Sequence, residues 1–177
     1  MSRKTHISQL KKDFSKTYDE HSDAIFRYAY FKLSDAEKAK DVVQDTFVKF
    51  WEYISAESEL QNVKALLYRI ALNTIIDLYR KRKTFSLDTL AEDGFDPAYE
   101  PEKDVFERHE AEEVLKAINE LDEDDRNIMF MRYIEGLSFD DIAEVVGERP
   151  NTVAVKVHRL LKQLRQSLNI NEGDFQA

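Results

Sequence analysis

The sequence predicts an all-α protein made of two small helical domains joined by a flexible acidic linker, with a helix-turn-helix in the C-terminal domain. Three observations predict this. Only 4 glycines and 3 prolines occur in 177 residues, so long stretches lack breakers. Apolar residues recur three and four positions apart, and no stretch alternates as a half-buried strand would. Three of the breakers gather with many acids: Gly94, Pro97 and Pro101 fall in one polar segment. The domains that follow are 8–84 and 105–170, with residues 85–104 as the linker.

A first helix is expected from about Ile7 to Phe31, with Phe14, Tyr18, Ile25, Ala29 and Leu33 at helical spacing. Ser34-Asp-Ala-Glu37 reads as a capping box that opens a second helix. Its apolar stripe is Ala36, Ala39, Val43, Phe47, Phe50 and Ile54, with Trp51 alongside. The polar stretch Ser55 to Asn62 interrupts the pattern. A third helix follows, with Val63, Leu67, Ile70, Thr74 and Leu78 on one side, and ends in Arg80-Lys81-Arg82-Lys83. Beyond the linker, Val114, Leu115, Ile118 and Leu121 mark a helix that begins near Val105. Ile128, Met129 and Met131 mark another, and two short helices complete the chain.

Charge is unevenly placed. The net charge is −9, yet residues 1–13 carry +3 and residues 14–84 carry +1, against −8 over 85–112 and −5 over 113–177. Inside the acidic C-terminal part, residues 149–166 hold Arg149, Lys156, Arg159, Lys162 and Arg165 and no acid. Local charge decides where phosphates bind, so an acidic total does not exclude nucleic acid. The chain has no cysteine, which excludes disulfides and thiolate metal sites and fits a reducing cytoplasm. No apolar run approaches the roughly 18–20 residues that span a bilayer. The N-terminus lacks an apolar signal core. A soluble, cytoplasmic protein with no membrane contact of its own is expected.

The strongest local signal runs from Gly136 to Val153. Ser138 with Asp141 forms an N-terminal cap, and Ile142, Ala143 and Val146 form a short apolar face. Gly147 supplies a left-handed turn, and Pro150 fits the first turn of the next helix. Helix, glycine turn, helix is the helix-turn-helix pattern. At about 100° per residue, Val153, Val157, Leu160, Leu161 and Leu164 share the core side. Asn151, Thr152, Val155, His158, Arg159 and Lys162 share the other. With Arg149 and Lys156 these residues suit a major-groove helix: cations for phosphates, Asn and Arg for base edges. A solvated amphipathic helix is the plainer alternative, and the cap, turn and spacing upstream favour DNA.

On the third helix Arg69, Asn73, Ile76 and Arg80 form one stripe, flanked by Tyr68 and Tyr79. Such a row suits an unpaired strand, whose bases offer edges to Asn and faces to aromatics. A surface helix whose basic end complements its dipole fits equally well. The second helix carries Asp41, Gln44 and Asp45 on its polar side, which by itself says only that the helix is amphipathic.

Taken together, these motifs resemble the extracytoplasmic-function group of the sigma-70 family over residues 14–170. Asp-Val-Val-Gln-Asp-Thr-Phe at 41–47 is similar to the family's polymerase-docking helix. The resemblance therefore implies that Asp41, Gln44, Asp45 and Phe47 bind core RNA polymerase. Leu-Tyr-Arg-Ile-Ala-Leu-Asn at 67–73, with Asp77 and Arg80, resembles the helix that reads the melted −10 element. This implies −10 contacts from Arg69, Asn73, Asp77, Arg80 and Lys81, with Asn73 lining the pocket of a flipped base. The loop Ser55 to Asn62 matches the segment that closes that pocket. Leu121 to Arg126, Gly136-Leu-Ser, Ile142-Ala143, Gly147 and Thr152-Val153 resemble the −35 domain. The implied −35 contacts are Arg149, Asn151, Thr152, Val155, Lys156, His158, Arg159 and Lys162. The family more often has Leu-Pro at Leu121-Asp122, a small residue at the Arg149-Pro150 position, and a polar pair at Ala154-Val155.

The resemblance implies a sigma factor that directs core polymerase to promoter DNA, with an anti-sigma factor as a further partner and no cofactor. The linker either threads the polymerase's RNA channel as a nucleic-acid mimic or is a solvated tether. A free-standing helix-turn-helix regulator and a helical adaptor are the rival readings. An enzyme is not expected. His6, His21, His109 and His158 are scattered, and no phosphate loop or nucleophile motif occurs. Asp122 to Asp125 form an acidic cluster that suits the start of a helix.

Overall fold

The computed structural model describes residues 3–56, 62–85 and 116–168; side chains are described for residues 8–56, 62–81 and 116–168. The chain divides into two compact units, Met1–Asp93 and Gly94–Ala177. Among the described residues all regular structure is helical. The specificity-type loop between Ser55 and Asn62 lies mostly outside the described residues. So do the acidic linker and the start of the helix expected from Val105.

The first unit packs three helices: α1 (Arg3–Leu33), α2 (Ala36–Ser55) and α3 (Val63–Phe85). Apolar residues at three- and four-residue spacing give each helix one buried side. Ile25, Tyr28 and Ala29 come from α1, Ala39, Val42, Thr46, Phe47 and Phe50 from α2, and Leu67, Tyr68, Ala71 and Ile75 from α3. Tyr28 and Tyr68 meet edge to face at 5.2 Å between centroids, which ties α1 to α3. On α3 the buried side runs through Leu67, Ala71 and Ile75 rather than Val63, Ile70 and Leu78, which are only half-buried. The expected stripe is therefore rotated by part of a turn. Ala36 is exposed, so the α2 stripe begins at Ala39.

The turn between α1 and α2 differs from the expected capping box. Asp35, not Ser34, is the N-cap: its side chain accepts from the Lys38 backbone N–H. Ser34 instead closes α1, with φ of 49° and its N–H donating to the Tyr30 carbonyl at 2.8 Å. A single left-handed residue ends one helix, and the next residue starts the other.

In the second unit, residues 116–119 are helical, and α4 (Glu123–Tyr133), α5 (Phe139–Val146) and α6 (Pro150–Ser167) follow. Asp122 caps α4 by accepting from the Asp125 N–H at 2.8 Å. Three acids then occupy its first turn, Glu123, Asp124 and Asp125. The core gathers Leu121, Ile128, Met131, Leu137, Ile142, Val153, Val157 and Leu160. Arg132 spans the corner between α4 and α5. It donates to the Leu137 carbonyl at 2.8 Å and sits 4.6 Å over the Phe139 ring.

Candidate nucleic-acid and polymerase interfaces

The helix-turn-helix assembles from local chemistry. Ser138 and Asp141 form a reciprocal capping box at the start of α5. Gly147 ends the helix at φ of 72°, and the Glu148 N–H donates back to the Ala143 carbonyl. Pro150 stands in the first turn of α6. On α5 the buried residues are Ile142, Ala143 and Val145, so Val145 takes the core place expected for Val146, which is half-buried.

On α6, Val153, Val157 and Leu160 are buried, while Asn151, Thr152, Val155, His158, Arg159 and Lys162 are exposed. Val155 is 68% exposed, an apolar side chain held in solvent on the polar face. Lys162 and Arg149 are exposed as well. Two cations are engaged within the unit. Lys156, half-buried, is ion-paired with Glu148. The hydrogen bond to Glu148 raises the Lys156 pKa above its ordinary value. Burial opposes this, and the charges of Glu148, Asp125 and Asp124 add to it. Arg159 donates from Nη2 to Asp125 Oδ2 at 2.9 Å. Sequence spacing did not disclose these partners. Asp125 lies 34 residues from Arg159, and as an acid in a first helical turn it already had a sufficient local explanation.

On α3, Asn73, Ile76, Arg80 and Lys81 are exposed on one side, and Arg69 and Asp77 are half-buried. Arg80 pairs with Asp77 at 3.2 Å, one turn apart, so two of the expected strand contacts also bind each other. Tyr68 departs from its expected role. It is 1% exposed in the core against Tyr28 and presents no face to a base. Tyr79 is partly exposed, and its hydroxyl donates to the Lys32 carbonyl. The side chains of Arg82 and Lys83 lie outside the described residues.

On α2, Asp41, Gln44 and Asp45 are exposed along one side. Phe47, by contrast, is only 3% exposed, at the floor of a neighbouring groove. It packs against Tyr18 at 4.7 Å and Phe14 at 6.1 Å between centroids. Its apolar ring belongs with the core, and it anchors the face that the polar residues present. Beside them lies a groove of ≈ 840 Å³ between α1 and α2. Phe14, Tyr18, Phe26, Val43, Phe47, Val48 and Trp51 line it, together with Lys11, Lys40 and Gln44. Among the described residues no cluster of His, Cys, Asp or Glu could hold a metal ion. No described helix is long and apolar enough to cross a membrane.

Fold and site together define a helix-turn-helix protein with a second, three-helix unit. Residues 17–85 match the family described as "Sigma-70 region 2", and residues 111–164 match "Sigma-70, region 4". RNA polymerase sigma factor SigV of Bacillus subtilis is 26% identical over 149 residues, covering 84% of this chain and 87% of its own. ECF RNA polymerase sigma factor SigW of the same species is 28% identical over 179 residues, covering 93% and 96%. The sigma factor RpoE of Bartonella quintana, solved in complex with the anti-sigma factor NepR, superposes with a TM-score of 0.66 at 26% identity. That alignment covers 90% of this chain and 99% of the other. The chain belongs to the sigma-70 family of RNA polymerase sigma factors, in its extracytoplasmic-function group.

Proposed function

We propose that this protein binds core RNA polymerase and directs it to a set of promoters, without catalytic activity of its own. The observation that carries the reading is α6: a helix with an acid-free, exposed polar face, set after a capped helix and a left-handed glycine, in a chain that matches both sigma regions. Residues 8–84 serve polymerase and the −10 element, and residues 105–170 serve the −35 element. The linker 85–104 joins them.

In this reading Asp41, Gln44 and Asp45 dock polymerase, and the buried Phe47 fixes the helix that presents them. Arg69, Asn73, Asp77, Arg80 and Lys81 hold the opened strand, with Asn73 contacting the edge of an extruded base. Unstacking that base costs a few kcal/mol, which pocket and phosphate contacts offset. Arg149, Asn151, Thr152, Val155, Lys156, His158, Arg159 and Lys162 face the upstream duplex, where exposed Val155 suits a thymine methyl. The protein works in the cytoplasm with polymerase. The RpoE neighbour was solved with an anti-sigma factor, and a partner of that class is expected here too.

The test is reconstitution with bacterial core polymerase, followed by transcription from a library of promoter DNA. Stable association and new start sites are expected. Tight polymerase-independent binding to a palindromic duplex, with no core association, would instead make the protein a free-standing regulator.

A further inference from the structure

Two of the cations on α6 differ from the rest. Lys156 and Arg159 stand three residues apart, and each meets a carboxylate of its own unit: Lys156 meets Glu148 in the turn before α6, and Arg159 meets Asp125 in the first turn of α4 at 2.9 Å. Asp125 is well placed to hold a partner. Its side chain is 11% exposed, and its backbone N–H is fixed by the Asp122 cap at 2.8 Å. Asp125 holds Nη2 of Arg159, while the Arg159 side chain stays 63% exposed.

An ion pair with one partner so exposed adds little to stability. Its main physical effect is on orientation. A free arginine loses much rotamer freedom when it docks, and a guanidinium already aimed by a carboxylate loses less. The same carboxylate works against loose attraction. It cancels charge that would otherwise draw any phosphate, whatever the sequence. The cation left by this arrangement is directional rather than adhesive.

We propose that Asp125 is a positioning residue that makes Arg159 specificity-determining at one base pair of the upstream duplex. The proposal rests on the reading of α6 as the helix that enters the major groove. It predicts that Asp125, which touches no DNA itself, sets discrimination more than affinity.

The experiment uses full-length protein reconstituted with core polymerase. Promoter duplexes altered one base pair at a time across the −35 element are compared with random-sequence duplex. Arg159→Ala is expected to lose about tenfold discrimination at one base pair, the scale of a good bidentate contact. Asp125→Ala is expected to lose about three- to tenfold at that same base pair, with binding to random duplex unchanged or stronger. In the double variant Asp125→Ala should add nothing to the loss from Arg159→Ala, because the two act through one contact. Asp125→Asn keeps the shape and a neutral acceptor, so it should lie between wild type and Asp125→Ala. It also serves as the working variant if Asp125→Ala does not fold. Loss of equal size at every sequence, or additive losses in the double variant, would overturn the positioning role. Full discrimination in Arg159→Ala would overturn the proposal one step earlier, at the assignment of Arg159 to the duplex.

Discussion

Asp45 and Phe47 sit two residues apart on α2 and meet opposite surroundings. Asp45 is exposed, while Phe47 packs into the aromatic cluster of Phe14, Tyr18 and Phe50. Their substitutions should therefore separate stability from binding. Phe47→Ala removes a buried ring and should cost about 3–5 kcal/mol. Chemical denaturation of the first unit would show this as a lower midpoint. Asp45→Ala should leave that midpoint nearly unmoved and weaken association with core polymerase, read by co-purification. A normal core interaction in Asp45→Ala would remove this residue from the docking face. The same separation applies on α3. Asn73→Ala should impair promoter opening, followed by permanganate reactivity of unpaired thymines, and leave core binding intact. Equal loss of both would sink the assignment. At this scale the sequence is least legible for aromatic residues. Phe47 and Tyr68 lie in the same motifs as the exposed Asp41, Gln44, Asp45 and Asn73, yet both rings are buried. A motif records which residues occur together, not which of them face solvent.

Helix boundaries were mostly legible because caps are local chemistry. Ser138, Gly147 and Pro150 announce α5 and α6 within a few residues of chain, and the structure places each as its type requires. The junction of α1 and α2 was displaced by one residue because Ser34 and Asp35 are both good N-caps. What decides between them is the length of α1, which runs on to Leu33 and leaves Ser34 to close it at φ of 49°. Three substitutions test this. Ser34→Gly should stabilise the unit slightly, since glycine enters the left-handed region without the Cβ penalty. Asp35→Ala should destabilise it, and Ser34→Ala should not act as the loss of a cap. Thermal melts of the three variants give the ranking. The side-chain and backbone hydrogen bonds of Lys38 hold the Asp35 pKa below its ordinary value. A lowered folded-state pKa means that the cap's contribution is present above the unfolded-state pKa. It is lost as the pH falls through the folded-state value. Asp35→Asn should remove that acid-side loss. In the second unit, a Cβ on Gly147 would meet nothing within 4 Å, so only the backbone at φ of 72° resists a side chain. Gly147→Ala should then cost about 1 kcal/mol, a purely conformational penalty. A much larger loss in the denaturation midpoint would mean that the turn has less room than this.

At the scale of the whole molecule, two helical units could be read from periodicity and breakers, while the proposed place of each interface comes from the family resemblance. The pairing of distant charges could not, because it depends on how helices pack. That pairing sets a measurable property of an acidic protein, with net charge −9, that must still meet DNA. Counted from sequence, residues 149–166 offer five cations, Arg149, Lys156, Arg159, Lys162 and Arg165. Each phosphate neutralised contributes about −0.9 to the slope of log binding constant against log salt. Five would give a slope of about −4.5. In the structure Glu148 holds Lys156 and Asp125 holds Arg159, so both charges are partly cancelled before DNA arrives. Three cations then remain to displace counterions, and the slope should fall to about −2.7. Anisotropy titrations of random-sequence duplex by the protein without polymerase, across a salt series, would measure it. The Glu148→Gln/Asp125→Asn double variant should steepen the slope toward the five-cation value and strengthen binding at low salt. A wild-type slope already near −4.5 would mean that DNA pulls both cations from their carboxylates. The two ion pairs would then be features of the free protein alone. A shallow slope that steepens in the double variant would show that the protein weakens its own general attraction to DNA. Promoter binding would then depend on polymerase to bring the two units to their sites together.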